Sequence, residues 1–361
     1  MKILALDIGT GTQDILLLDT TRTVENAFKM VMPAPTAMAA QKIEAATRRR
    51  QSLLLTGVTM GGGPCGWALR KHLEAGLQAY ATPDAARTFD DDLERVQNWG
   101  MVIVSSDEAA GMKRVARVKL ADLDWDALSH AFQAFGLELQ VEGAAVAVLD
   151  HGAATPGVSD RLFRFQHLRR VVEAKNQLTA FAYFSPEVPE YLTRLRAVAE
   201  SATIDAPLLL MDTGPAAALG ALEDKRVASQ GEVIVLNLGN MHTLAFHLQG
   251  HAIQGLFEHH TGLMSTEKLD TLLQKLVAGT LTQDQVFNDG GHGCFIVSGN
   301  SSMPLIGVTG PRRGIMSPSS LKPYFAVPHG DMMLSGCFGL VRAFAEKMPQ
   351  WREEIEAALG S

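Results

Sequence analysis

The sequence predicts an α/β protein built as two lobes around a cleft, and three observations carry the prediction. Strand-length apolar runs alternate with helical segments along most of the 361 residues, the pattern of a mostly parallel sheet. The chain opens on a hairpin, Lys2-Ile-Leu-Ala-Leu-Asp7-Ile-Gly9-Thr10-Gly11-Thr12-Gln13-Asp14-Ile-Leu-Leu-Leu-Asp19, in which an apolar strand ends at an acidic residue and a Gly/Thr turn leads into a second apolar strand. The device returns at Val233–Leu248, where Asn237-Leu-Gly239-Asn240-Met-His242-Thr243 holds the place of the turn. Backbone N–H groups and hydroxyls in such turns suit a phosphate group. Two of them, one from each half, would make a cleft between domains. The division falls at 1–222 and 223–361.

Composition narrows the field. With 47 % apolar and 20 % charged residues the chain has the make-up of a globular protein with sizeable cores. A formal charge of −7 leaves no basic footprint for nucleic acid. Cys65, Cys294 and Cys337 lie far apart, which argues against a disulfide framework or a cysteine metal site and fits a reducing cytoplasm. No apolar run approaches the roughly 20 residues of a membrane span, and Met1-Lys2 runs straight into a strand, so neither a membrane partner nor a leader is expected. A small-molecule substrate is the expected partner, and assembly into a homo-oligomer stays open.

The elements follow in order. A third strand over Thr23–Met32 ends at Pro33 and Pro35, and a helix spans about Thr36 to Arg50. Leu53–Val58 reads as a buried strand, and after Met60-Gly-Gly-Gly63-Pro64-Cys65 a helix runs over Trp67–Ala75 until Gly76 stops it. Asp84–Gln97 reads as helix, with Asp90-Asp91-Asp92 at a helix start or on a solvated face. A short strand at Met101–Ser105, a helix at Asp124–Phe135 and a strand at Ala144–Leu149 come next. The segment from Asp150 to Phe165 is punctuated like a loop. Helices near Arg169–Asn176 and Val188–Glu200 precede a buried strand at Pro207–Met211.

In this order the motifs resemble the actin-like ATPase superfamily of chaperone ATPases, sugar kinases and actin. Asp7–Thr12 is similar to its first phosphate motif, Pro215-Ala-Ala-Ala-Leu-Gly220 to its first connecting helix, and Asn237–Thr243 to its second phosphate motif. Phe295-Ile-Val-Ser298-Gly299-Asn300 resembles its adenosine motif, and Gly330-Asp331 through Gly339 its second connecting helix. The resemblance implies two ribonuclease-H-like lobes with an interdomain nucleotide cleft holding ATP and Mg²⁺. It implies contacts to the nucleotide from Gly9, Thr10, Gly11, Thr12, Gln13, Asn237, Gly239, Asn240, His242, Thr243, Ser298, Gly299 and Asn300, with Asp7 holding the metal through water. A narrower resemblance, carried by Asp7–Asp14, Met60–Pro64 and Asp289-Gly290-Gly291-His292-Gly293, is to a prokaryotic family of unknown function. Its members have been labelled as related to the pyruvate formate-lyase activating enzyme, a label at odds with three scattered cysteines, since an iron–sulfur cluster needs them close together.

Asn237 stands where the superfamily has an aspartate, and an amide carries no charge to offset Mg²⁺. Nucleotide binding follows more readily from this sequence than fast hydrolysis does. The implied activity is an ATP-dependent phosphotransferase or ATPase acting on a small molecule. A catalytically weakened nucleotide-binding regulator or scaffold is the alternative, and a metal-dependent hydrolase using the histidine loops a third. For the acceptor, Gly61, Gly62 and Gly63 would let a backbone approach a ligand under a helix N-terminus, beside His151. Asp150 or Asp212 would be the general base. His259, His260 and His292, with His242, would form a metal site, a phosphate-binding lip or a base, although adjacent histidines on a strand face opposite ways. Arg312 would clamp a phosphate or carboxylate.

Overall fold

The computed structural model describes residues 1–155 and 157–360. Pro156, within the segment expected as a loop, and Ser361 lie outside the described residues. The first sheet is built from β1 (Lys2–Ile8), β2 (Thr12–Asp19) and β3 (Phe28–Pro33). An insert follows, with β4 (Leu53–Gly57), β5 (Ala79–Ala81), β6 (Met101–Ile103) and β7 (Ala116–Leu120) in a parallel sheet of its own, ordered β6-β5-β4-β7. The chain then returns to the first sheet through β8 (Gly143–Val148), β9 (Ala182–Phe184) and β10 (Leu208–Asp212). Its order is β3-β2-β1-β8-β10-β9, with β8 and β10 parallel to β1 and the others antiparallel to their neighbours.

The second sheet repeats this plan with β11 (Glu232–Leu238), β12 (His242–Gln249), β13 (Ala252–His260), β14 (Gly293–Ile296), β15 (Leu305–Thr309) and β16 (Tyr324–Phe325). Its order is β14-β13-β12-β11-β15-β16, again a three-strand antiparallel meander followed by two parallel strands. Shared between the lobes, the order β3-β2-β1-β8-β10 and β13-β12-β11-β15-β16 is the ribonuclease-H-like plan. The duplicated hairpin is thus the visible end of a duplicated sheet.

Both faces of each sheet are covered, which is why the central strands read as unbroken apolar runs. Ile3, Ala5, Ala145 and Met211 face a shared core with Val233, Val235 and Phe246 of the second sheet. Leu4, Leu6, Val146 and Leu210 face outward onto the helices Trp125–Ala134 and Thr193–Ser201. On the second sheet Ile234, Leu236 and Phe257 face the helix Thr266–Val277. The insert has a separate core containing Leu53, Leu55, Ile43 and Leu69.

Two helices cross between the sheets, and small residues let them meet. A Cβ on Gly220 in the helix Thr213–Ala221 would overlap the Ser335 carbonyl, and one on Gly339 in the helix Ser335–Lys347 would overlap the Ala216 carbonyl. The expected boundary at 222/223 is not followed by the packing. The helices Ser335–Lys347 and Pro349–Leu359 lie on the first sheet, where Cys337 Sγ donates to the Asp14 carbonyl at 3.1 Å and the Met1 amine meets Glu354 at 2.8 Å.

Some element boundaries also differ. Asp84–Gln97 is two short helices, Pro83–Ala86 and Leu93–Asn98, because Asp92 caps the second by accepting the Glu94 N–H and ends the first pattern there. The helix expected at Arg169 starts at Asp160, since its inward residues Arg164 and His167 are polar and hide its periodicity. No helix among the described residues is long and apolar enough to cross a membrane.

Candidate functional site

The two hairpin turns close in the same way. Gly9 N–H donates to the Thr12 carbonyl at 2.9 Å, and Gly239 N–H to the His242 carbonyl at 2.9 Å. They touch at their tips, where a Cβ on Gly11 would stand 2.5 Å from Asn240 Nδ2. Beneath them lies a cleft lined by Asp7, Thr10, Thr12, Asn237, Gly239, Asn240 and His242 among others. Asp7 forms its floor between the starts of the two crossing helices. Thr213 Oγ1 donates to Asp7 Oδ1 at 2.5 Å, and the Asp7 carboxylate fills the space a side chain at Gly336 would need. Asp14 is directly opposite Asp7 in the β1–β2 register, so the two carboxylates share a face. Burial pushes the Asp7 carboxyl up to about 6. Burial and the charge of Asp7 push Asp14 up to about 8, and Asp14 Oδ1 is buried without a hydrogen-bond partner among the described residues.

Ser298, Gly299 and Asn300 do not reach this cleft. Ser298 bonds Gln254 on β13, and Asn300 Nδ2 donates at 2.6 Å to Glu232 Oε2, at the start of β11. Six residues of strand at about 3.3 Å each separate that end from the turn, roughly 20 Å. The strand that does arrive is β15, parallel to β11, and its continuation Thr309-Gly310-Pro311 lines the cleft. Gly310 has φ +97°, and a Cβ there would stand 2.7 Å from Asn237 Oδ1 and overlap the Leu238 carbonyl, so only glycine fits. The apolar run Leu305–Thr309 before Gly-Pro was the sequence signal for it. Gln13 and Thr243 also turn away: Gln13 Nε2 donates to the Pro33 carbonyl, and the buried Thr243 hydroxyl bonds Thr261 at 2.9 Å.

A second chamber joins the first at Thr10, Met241 and His242. Gly61, Gly62, Gly63, Asp150, His151 and His260 come together around it. The glycines have packing reasons of their own. A Cβ on Gly61 would stand 2.6 Å from Arg194 Nη2, and one on Gly62 2.7 Å from the Thr88 carbonyl. The helix start beside them has little left for an anion, because Pro64 has no N–H, the Cys65 N–H donates to Thr36 Oγ1 and that of Gly66 to the Gly62 carbonyl.

The carboxylates read as bases are engaged elsewhere. Asp150 accepts the N–H groups of Gly152 at 2.8 Å and Leu195 at 2.9 Å, one on each oxygen. Asp212 caps the helix Thr213–Ala221 and accepts from Arg164 at 2.6 and 3.2 Å. Both thus hold structure, Asp150 through two backbone N–H groups and Asp212 through its helix cap and its ion pair with Arg164. Arg312 is exposed on the loop after β15, away from either chamber's lining.

Between the chambers the rings of His151, His242, His260 and His292 converge. Centroid separations are 5.3 Å for His151–His242, 4.9 Å for His242–His292 and 4.8 Å for His260–His292. His260 is opposite His242 in the β12–β13 register, whereas His259 points through the sheet to Asp289 at 3.2 Å. Burial, then neighbouring charges, lower His260 to about 4, and burial is the main cause lowering His151 well below its ordinary value. His151 and His260 are therefore neutral at pH 7.

Below them is a group the sequence did not suggest. Arg164, fully buried, donates from Nε to both oxygens of Glu258 at 2.9 and 2.8 Å and from Nη1 to the Asp150 carbonyl at 2.8 Å, besides its bonds to Asp212. Burial alone would push the Glu258 carboxyl up, but Arg164 holds it well below the usual range. Glu258 belongs to the second sheet and Asp212 to the first, so this arginine ties the lobes together. Arg194, bonded to Asp122 at 2.7 and 2.9 Å, ties the insert to the first lobe in the same way. Long-range ion pairs leave no local pattern, which is why neither arginine stood out.

The chain belongs to the family described as "Putative pyruvate format-lyase activating enzyme (DUF1786)", whose model matches residues 60–315. The cysteines do not suit the cluster chemistry in that description. Each is buried in a different core, Cys65 in the insert, Cys294 on the outer face of the second sheet and Cys337 between the lobes. No curated protein matches the chain. Among solved structures, the ADPNP-bound activator of 2-hydroxyisocaproyl-CoA dehydratase from Clostridium difficile aligns at 9 % identity over 98 % of each chain, with a TM-score of 0.35. The apo ParM protein of pSK41 aligns at 12 % identity over 98 % of this chain and 99 % of its own, at 0.33. The ethanolamine utilization protein EutJ from Carboxydothermus hydrogenoformans aligns at 12 % over 94 % and 89 %, at 0.32. Likeness at this level bears on neither ligand nor activity.

Proposed function

We propose that this chain binds a magnesium nucleotide, ATP in the first instance, between its two hairpin turns and transfers the terminal phosphoryl group to a small acceptor or to water. The observation that carries the reading is the pair of identically closed turns meeting over a cleft floored by Asp7. The donor set fits a hard cation: two opposed carboxylates, Asp7 and Asp14, with Asp14 Oδ1 lacking a hydrogen-bond partner among the described residues. When bound, the ion would supply charge neutralisation at the phosphates. The chain's own contribution is positioning, through the turn N–H groups, the Thr10 and Thr12 hydroxyls and the starts of the two crossing helices. An acceptor in the second chamber would meet the imidazoles of His151, His242 and His260 and the carboxylates of Asp90, Asp91 and Asp160. The uncharged Asn237 favours a second reading, a nucleotide binder with slow turnover.

Calorimetric titration with Mg-ATP, followed by a phosphate-release assay, tests both. Asp7→Asn should weaken binding by about 10- to 100-fold, the worth of a charge-assisted contact. Unchanged affinity in Asp7→Asn and in Thr10→Ala would sink the proposal. Binding without turnover, with turnover gained in Asn237→Asp, would select the second reading.

A further inference from the structure

The histidine cluster has a geometry that nucleotide binding does not require. His151 Nε2 and His292 Nε2 face each other at 3.4 Å. That is long for a hydrogen bond between ring nitrogens. It is, however, the edge of a tetrahedron around a metal: M–N bonds of about 2.0–2.1 Å place two ligand nitrogens about 3.3–3.4 Å apart. One ring nitrogen from each of His151, His242 and His292 lies within 4.8 Å of the others.

The surroundings suit a ligand set. His242 donates from Nδ1 to Glu258 Oε1 at 3.1 Å, which fixes its tautomer and turns Nε2 to the cluster, the carboxylate support typical of metal-bound imidazoles. Glu258 is held in turn by Arg164. His292 is fully buried and its Nδ1 has no hydrogen-bond partner among the described residues, so the ring is not in place to satisfy bonds of its own. His260, packed on both His242 and His292, stands beside the set.

We propose that His151, His242 and His292 bind a divalent transition-metal ion of the borderline class, such as Zn²⁺, between the two chambers. Three imidazoles suit such an ion better than Mg²⁺. Three protein ligands leave a coordination position open, as in catalytic rather than structural sites. His151 follows the first sheet while His242 and His292 belong to the second lobe, so the ion would also bridge the lobes.

The test uses the full-length, chelator-stripped protein titrated with Zn²⁺ alone and with Co²⁺ alone, the latter followed by visible absorption. About one equivalent should bind, with the d–d bands of a low-coordinate nitrogen site. His151→Ala and His292→Ala should each weaken binding by at least about 100-fold, while His259→Ala, on the opposite face, should retain it. Circular dichroism verifies folding of each variant, and Mg-ATP titration of the same samples reads the nucleotide site separately. Absence of binding in the wild type overturns the proposal, as does binding indifferent to His151 and His292, whatever the Mg-ATP result.

Discussion

Replacing Arg164 should do more damage than replacing any exposed charge in this protein. Its guanidinium is fully buried and serves two carboxylates, Glu258 and Asp212, from different lobes. Arg164→Met keeps much of the volume but leaves both carboxylates buried and uncompensated. Removing one partner of a buried pair costs about 3–5 kcal/mol, and here the loss falls on two pairs at once. The triple variant Arg164→Met/Asp212→Asn/Glu258→Gln, which removes the stranded charges, should recover at least about 2 kcal/mol of that loss, a coupling well above the error of additivity. Guanidinium unfolding followed by tryptophan fluorescence and far-ultraviolet circular dichroism is the assay. All four tryptophans (Trp67, Trp99, Trp125 and Trp351) lie on the first lobe's side or in the insert. Fluorescence therefore reports that half, while dichroism reports the whole. With the tie cut, the two transitions should separate. A variant within about 1 kcal/mol of the wild type, with coincident transitions, would refute the assignment of Arg164 as the interlobe tie.

Two further outcomes are expected. Gly220→Ala, which on an open helix would gain up to about 1 kcal/mol, should instead destabilise by about 1–3 kcal/mol because its Cβ meets the Ser335 carbonyl, and a raised denaturant midpoint would show that the crossing yields. His167 is buried, bonds the Tyr191 hydroxyl at 3.1 Å, and is lowered to about 4, chiefly by burial. The unfolded chain therefore takes up this proton first, and stability present above pH 6.5 is lost as pH falls toward 4, by on the order of 1 kcal/mol per pH unit. His167→Leu should flatten the pH dependence of the denaturant midpoint relative to the wild type, and parallel curves would count against it.

Much of the architecture was legible because it is written locally. Apolar runs flanked by glycine mark strands, and the Gly-Thr turn announces itself within six residues, so both hairpins and their duplication were visible. The adenosine-like reading of Ser298–Asn300 failed because a strand ending in small residues looks the same whether it is the edge strand β14 or the central β15. Only pairing distinguishes them. The loop expected after Asp150 concealed a helix because its buried face carries Arg164 and His167, polar residues whose partners are distant in sequence.

What the sequence by itself determined is the two-lobed plan and the placement of Asp7 and Asn237 at equivalent turns, since strand period and turn chemistry are short-range. What only the tertiary structure decided is the company each side chain keeps. It engaged Asp150 and Asp212 in caps and an ion pair, sent His259 through the sheet, and gathered His151, His242, His260 and His292 at one point from four separate segments. Such meetings depend on strand register and on how two lobes close, and neither leaves a mark on the residues nearby.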